Sequence, residues 1–152
     1  MTLIDFLSND GNSITRFEER LKKEDIAKYE FDFLISFSYR YIISKEILIF
    51  FKDKAINLHI SYLPWNKGAD PNFWSILENT PQGVTIHQID YKLDAGKILY
   101  QKKITFNDED TLKTSYEKLQ IELVKLFIEK WYNIKQNKVT PMKQKGRGSY
   151  HI

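Results

Sequence analysis

Residues 56–64 read Ile56-Asn57-Leu58-His59-Ile60-Ser61-Tyr62-Leu63-Pro64. Apolar Ile56, Leu58 and Ile60 alternate with polar Asn57, His59 and Ser61, the period of a strand with one covered face. Pro64 ends it. The alternation turns Asn57 and His59 to the same side, two residues apart, close to the strand terminus. An amide donor beside an imidazole in such a place can hold a developing oxyanion and move a proton. The pattern equally suits an ordinary strand with a polar outer face, so its meaning depends on its neighbours.

Upstream, Phe31 to Phe37 is a near-continuous apolar run of strand length, which predicts a strand covered on both faces. Ser38 to Ile43 reads as a loop, and Ser44 is placed to cap a short helix through Phe51. Leu3, Ile4, Phe6 and Leu7 give Thr2–Ser8 an apolar helical face, stopped by Asn9-Asp10-Gly11-Asn12. Ser13–Thr15 reads as a short strand, and Glu18–Tyr29 as a charged surface helix or loop.

Downstream, Trp65–Asn72 is a predicted loop, Phe73–Glu78 a helix, and Pro81-Gln82-Gly83 a turn into a strand over Val84–Ile89. Asp90–Gly96 is a polar loop before an alternating strand over Ile98–Ile104. Thr111–Trp131 carries an apolar stripe at helical spacing, Leu112, Tyr116, Leu119, Leu123, Leu126 and Phe127, which predicts a core-facing helix. Thr111 is its predicted cap, and Asp108-Glu109-Asp110 suits the positive end of its dipole. From Asn133 onward the chain is polar and basic and reads as a linker or tail.

The whole chain has 152 residues, 42% of them hydrophobic and 14% aromatic, enough for one domain with a real core and against disorder. The net charge of +3 is spread out and points to neither nucleic acid nor membrane as a partner. The absence of cysteine excludes disulfides and thiolate metal sites. No apolar run is long enough to span a bilayer and the start lacks a signal-peptide layout, so a cytoplasmic protein is expected.

Strands alternating with helices predict an α/β open sheet, whose ligands gather at the carboxyl ends of strands. Asn57, His59 and Asp94 fall at such ends, and a carboxylate near the imidazole would raise its pKa and fix its orientation.

Three linked segments, Asn57–Pro64, Gly83-Val84-Thr85-Ile86-His87 and Leu93-Asp94-Ala95-Gly96, resemble in order and spacing the folate-dependent formyltransferases. That family includes enzymes acting on glycinamide ribonucleotide, methionyl-tRNA and nucleotide sugars. The resemblance covers roughly Phe31 to Trp131. It implies a Rossmann-like open sheet of the formyltransferase type, lacking the usual first strand. Residues 1–132 would form the catalytic domain, and 133–152 a basic linker opening a further part. It also implies 10-formyltetrahydrofolate as donor, a primary amine as acceptor and no metal. Asn57, His59 and Asp94 would be catalytic: Asn57 and a protonated His59 on the oxyanion, Asp94 holding His59 and helping to move the proton. The pterin would lie against Arg40, Tyr41, Ile42 and Ile43 on one side and Asp90 and Leu93 on the other, largely through backbone groups. His87 matches a family position, with a structural role and a site role both open.

Tyr39–Ile43, Leu63–Asn72 and Gly148-Ser149-Tyr150-His151 look most like enzymes that formylate amino sugars carried on nucleotides, as in glycan or lipopolysaccharide biosynthesis. A homodimer is a candidate assembly. The alternatives are a methionyl-tRNA formyltransferase-like enzyme and a truncated, non-catalytic folate-binding remnant.

Overall fold

The computed structural model describes all residues 1–152. Four strands form the main sheet: β1 (Leu34–Phe37), β2 (Ala55–His59), β4 (Gly83–Gln88) and β5 (Ile98–Lys103), in the order β1-β2-β4-β5. β1 and β2 run parallel, whereas β2–β4 and β4–β5 are antiparallel, so the open α/β sheet is mixed. Around it lie α1 (Leu3–Asn9), α2 (Lys23–Ala27), α3 (Lys45–Phe51), α4 (Pro71–Leu77) and α5 (Leu112–Lys135). A second, two-stranded sheet pairs β3 (Lys67–Gly68) in parallel with β6 (Tyr150–His151). No helix is long and apolar enough to cross a membrane.

The period-two alternation of β2 sorts its residues onto two sides. Ile56 and Leu58 join Val84 and Ile86 of β4 against α5, where Leu119, Leu123, Leu126, Phe127, Trp131 and Ile134 close the larger core. Ala55 faces the other way, into a smaller cluster with Leu21, Ile26, Ile47, Leu48 and Phe51. Asn57 and His59 share the side of Ala55, because strand residues two apart lie on one face. Thr111 caps α5 by accepting from the Thr114 amide at 3.1 Å.

Several details depart from the sequence pattern. Ser13–Thr15 forms no strand, and Glu18–Tyr29 holds only the short α2. All four β1 residues are half-buried rather than covered, since β1 pairs only with β2 and is an edge strand. Ser44 occupies the N-cap position of α3 but makes no side-chain cap bond. At the start of α5, Leu112 and Tyr116 are 51% and 46% exposed, and the buried residue between them is Ser115. Ser115 is buried because its hydroxyl takes a 3.0 Å bond from the Asn72 amide of α4. The helix contact there is polar, and the apolar stripe begins a turn later.

Residues after 132 are packed against the domain instead of leaving it as a linker. α5 continues to Lys135, and Ile98 and Met142 exchange both backbone bonds, at 2.7 and 2.9 Å. β6 then adds to β3. Close backbone approaches at β3 and in the loop before β5 require glycine. A Cβ on Gly68, at φ +91°, would fall 1.9 Å from the His151 carbonyl oxygen, and one on Gly96 1.7 Å from that of Gln88.

Candidate active site

The register of β2 on β4 sets Asn57 opposite His87 and His59 opposite Thr85, so four polar side chains share the face away from α5. β4 runs antiparallel to β2, so the loop after it begins at the Ala55 end of β2, not at the His59 end. Asp94 is therefore not at a parallel strand terminus. It reaches the cluster because the loop from Asp90 to Gly96 folds back, with Asp94 itself at φ +53° and Gly96 seated against Gln88.

The Asp94 carboxylate is the hub. Oδ1 accepts from Asn57 Nδ2 at 3.3 Å, and Oδ2 accepts from the Gly68 backbone N–H at 2.9 Å. His59 Nε2 lies 3.6 Å from Oδ2 and His87 Nε2 lies 3.6 Å from Oδ1. Asn57 Nδ2 is also 3.3 Å from His87 Nε2, while His87 Nδ1 sits 2.8 Å from the Gln88 carbonyl oxygen. With Nδ1 on the Gln88 carbonyl, His87 turns Nε2 toward both the Asn57 amide and the Asp94 carboxylate. His87 thus belongs to the cluster and orients Asn57.

Burial opposes a charge on Asp94. The His87 hydrogen bond, the His59 ring and the Gly68 N–H together outweigh burial and hold its pKa down at about 2. For His59 the balance reverses. Burial lowers its pKa below the ordinary imidazole value, and the His87 ring adds to this, against the opposing pull of Asp94 and of the Asn66 carbonyl. The sequence pattern suggested a raised value from the carboxylate alone; the buried setting wins, so His59 is neutral at rest. Its Nε2–H donates to the Asn66 carbonyl at 3.2 Å.

Further bonds brace the segments around this cluster. Asn66, completely buried at φ +57°, donates through Nδ2 to Thr80 Oγ1 at 2.8 Å and from its backbone to Ser149 Oγ at 2.8 Å. Thr85 donates to the Ser61 carbonyl at 2.7 Å. Gln144 donates to the carbonyls of Asp94 and Gly96 at 2.7 and 2.9 Å, tying the turn of the Asp90–Gly96 loop to the chain end. His151 stacks on Trp74 with centroids 4.0 Å apart and contacts Glu78 at 2.6 Å. No sequence signal marked Gln144, and Asn66 and Gly68 were legible only as part of the Leu63–Asn72 segment, because their partners are backbone groups or lie far along the chain.

The two loops expected at the pterin are placed as follows. Arg40 donates to the Tyr41 hydroxyl at 2.9 Å, and the guanidinium of Arg20 also lies over the Tyr41 ring. Ile43 packs on the smaller core, while Ile42 and Leu93 are exposed. Asp90 accepts from the Tyr91 N–H at 2.6 Å. The loops approach through Lys45, whose ammonium lies 4.8 Å over the Tyr91 ring. No set of three or more side chains that could ligate a metal converges.

Set against known proteins, residues 7–130 match the formyl transferase family. A methionyl-tRNA formyltransferase of Thermodesulfovibrio yellowstonii is 41% identical over 120 residues, covering 78% of this chain and 39% of that protein. The chain thus spans well under half the length of such curated relatives. Among solved structures, the formyltransferase PseJ of Anoxybacillus kamchatkensis, in complex with UDP-4,6-dideoxy-4-formamido-L-AltNAc and tetrahydrofolate, superposes with a TM-score of 0.94 at 50% identity. That match covers 98% of this chain and 79% of that one. An N-formyltransferase of Helicobacter canadensis, with folinic acid and dTDP-3-aminofucose, gives a TM-score of 0.75 at 28% identity, over 99% of this chain and 54% of its own.

Proposed function

The chain belongs to the formyl transferase family, and from that premise we propose that it transfers a formyl group from 10-formyltetrahydrofolate to the primary amine of a nucleotide-linked amino sugar. The observation that carries the reading is the joining of Asn57, His59 and Asp94 into one bonded cluster, in a chain half identical over nearly its whole length to a formyltransferase bound to a nucleotide sugar. The methionyl-tRNA reading has the curated relatives in its favour at lower identity.

In this mechanism the neutral amine attacks the formyl carbon, and the carbonyl oxygen becomes an oxyanion. Asn57 Nδ2, held by Asp94 and His87, is the donor aimed at that charge. His59 starts neutral, so its role begins as a proton acceptor. With Nε2–H on Asn66, its other ring nitrogen takes the proton that the attacking nitrogen sheds, and the ionised Asp94 stabilises the imidazolium that results. The charged ring then assists the oxyanion and returns the proton to the departing folate nitrogen. The pterin lies between Arg40–Ile43 and Asp90–Leu93, where exposed Ile42 and Leu93 offer apolar contact.

The test is a transfer assay with nucleotide-linked amino sugars and with methionyl-tRNA in parallel. Asn57→Ala should lower transfer about 100- to 1,000-fold, the cost of one oxyanion donor. Calorimetric binding of a non-transferring donor analogue should survive. Near-parental turnover by this variant would overturn the mechanism. Donor binding with no transfer to any acceptor would identify a folate-binding remnant.

A further inference from the structure

Beside the cluster lies an open cleft of about 370 Å³, within the usual range of about 300–1,000 Å³ for small-molecule sites. Its wall is the reverse of an apolar one: of eight lining residues one is hydrophobic and three are lysines, Lys67, Lys97 and Lys143. None of these three ammonium groups forms an ion pair or lies over an aromatic ring. The acidic side chain in the wall is Asp90. Three cations around one cleft repel one another, and bringing in a compact polyanion relieves that repulsion and forms charge-assisted hydrogen bonds.

The lysines come from three separate segments. Lys67 is on β3, next to the Gly68 amide that holds Asp94; Lys97 follows the Asp94 loop; Lys143 precedes Gln144, which bonds the Asp94 carbonyl. The cleft is therefore fixed to the catalytic carboxylate at both ends. We propose that Lys67, Lys97 and Lys143 bind the diphosphate of the acceptor nucleotide and so direct its amino sugar toward Asn57, His59 and Asp94. This deepens the function proposed above and rests on it.

Two sources could bring oligoanion chemistry here, the acceptor's diphosphate and a glutamate tail on the folate donor, and calorimetry separates them. The probes are UDP, uridine, inorganic pyrophosphate, and tetrahydrofolate with one or three glutamates. UDP should bind more tightly than uridine, and increasingly so as salt is lowered. Lys97→Gln and Lys143→Gln, both at exposed positions, should each weaken UDP and pyrophosphate about tenfold, the scale of one charge-assisted contact. Uridine and folate affinities should hold. Unchanged UDP affinity in both variants overturns the proposal, as does a loss confined to the triglutamate folate. If a nucleotide-linked amino sugar is formylated while the variants keep their UDP affinity, the cleft assignment fails and the function stands. If the variants lose pyrophosphate but no such sugar is formylated, the anion cleft stands and the acceptor reading fails.

Discussion

On one face of the sheet Ile56, Leu58, Val84 and Ile86 meet a single helix, α5, and the contact is apolar throughout. On the other face the alternate residues of the same two strands, Asn57, His59, Thr85 and His87, meet a folded-back loop, the β3 turn and the chain end. The first region is built from two elements with strong periodicity, and its side chains need only shape and apolarity. The second is built from five segments, and each polar group in it needs a particular partner. Non-directional burial tolerates small errors of position, whereas buried polar groups do not. Stability is therefore concentrated on the α5 side, and the proposed chemistry on the other.

Substitutions on the two faces should separate these roles. Phe127→Ala, deleting a fully buried ring under β2 and β4, should cost about 3–5 kcal/mol of unfolding free energy in urea denaturation. Asn57→Ala removes the amide that bonds Asp94 Oδ1 and faces His87, and should cost less, about 1–3 kcal/mol, while removing transfer. Equal destabilisation by the two would break the comparison.

The pH dependence of stability should sharpen it. Burial depresses the His59 pKa in the folded chain, so unfolded His59 takes a proton that the folded one resists. Stability is thus fully present above the unfolded imidazole value of about 6.5 and falls as the pH is lowered from there. A second loss should follow between 3.8, the ordinary carboxyl value, and about 2, as folded Asp94 is protonated. His59→Asn should flatten the first decline in melts at pH 7.5, 6 and 5; an unaltered decline would assign it to other groups. The smallest effect belongs to the legible face: Thr111→Ala, removing the α5 cap, should cost about 1 kcal/mol and leave transfer unchanged.

What could be read in advance follows the same division. The alternation of residues 56–60 placed Asn57 and His59 together, and the stripe of α5 was correct from Leu119 onward. It failed at Leu112 and Tyr116 because the Asn72–Ser115 bond, made across 43 positions, draws a polar residue inward. Asp94 was recognisable as part of a motif, although its route was not: an antiparallel β4 sends the loop off at the wrong end, and the turn must return it. The direction of the His59 pKa shift is opposite to the one the carboxylate alone suggests, because a sequence shows the nearby Asp94 and hides the burial that outweighs it.

The sequence by itself determined the α/β class, the face on which Asn57 and His59 lie, and the motif that carries Asp94, since these depend on period and local spacing. Only the tertiary structure decided that His87 orients Asn57, that Gly68 and Gln144 hold Asp94, and that residues beyond 132 return to wall the site. Those contacts join backbone groups and side chains far apart in the chain, and whether such groups meet depends on how the whole molecule closes.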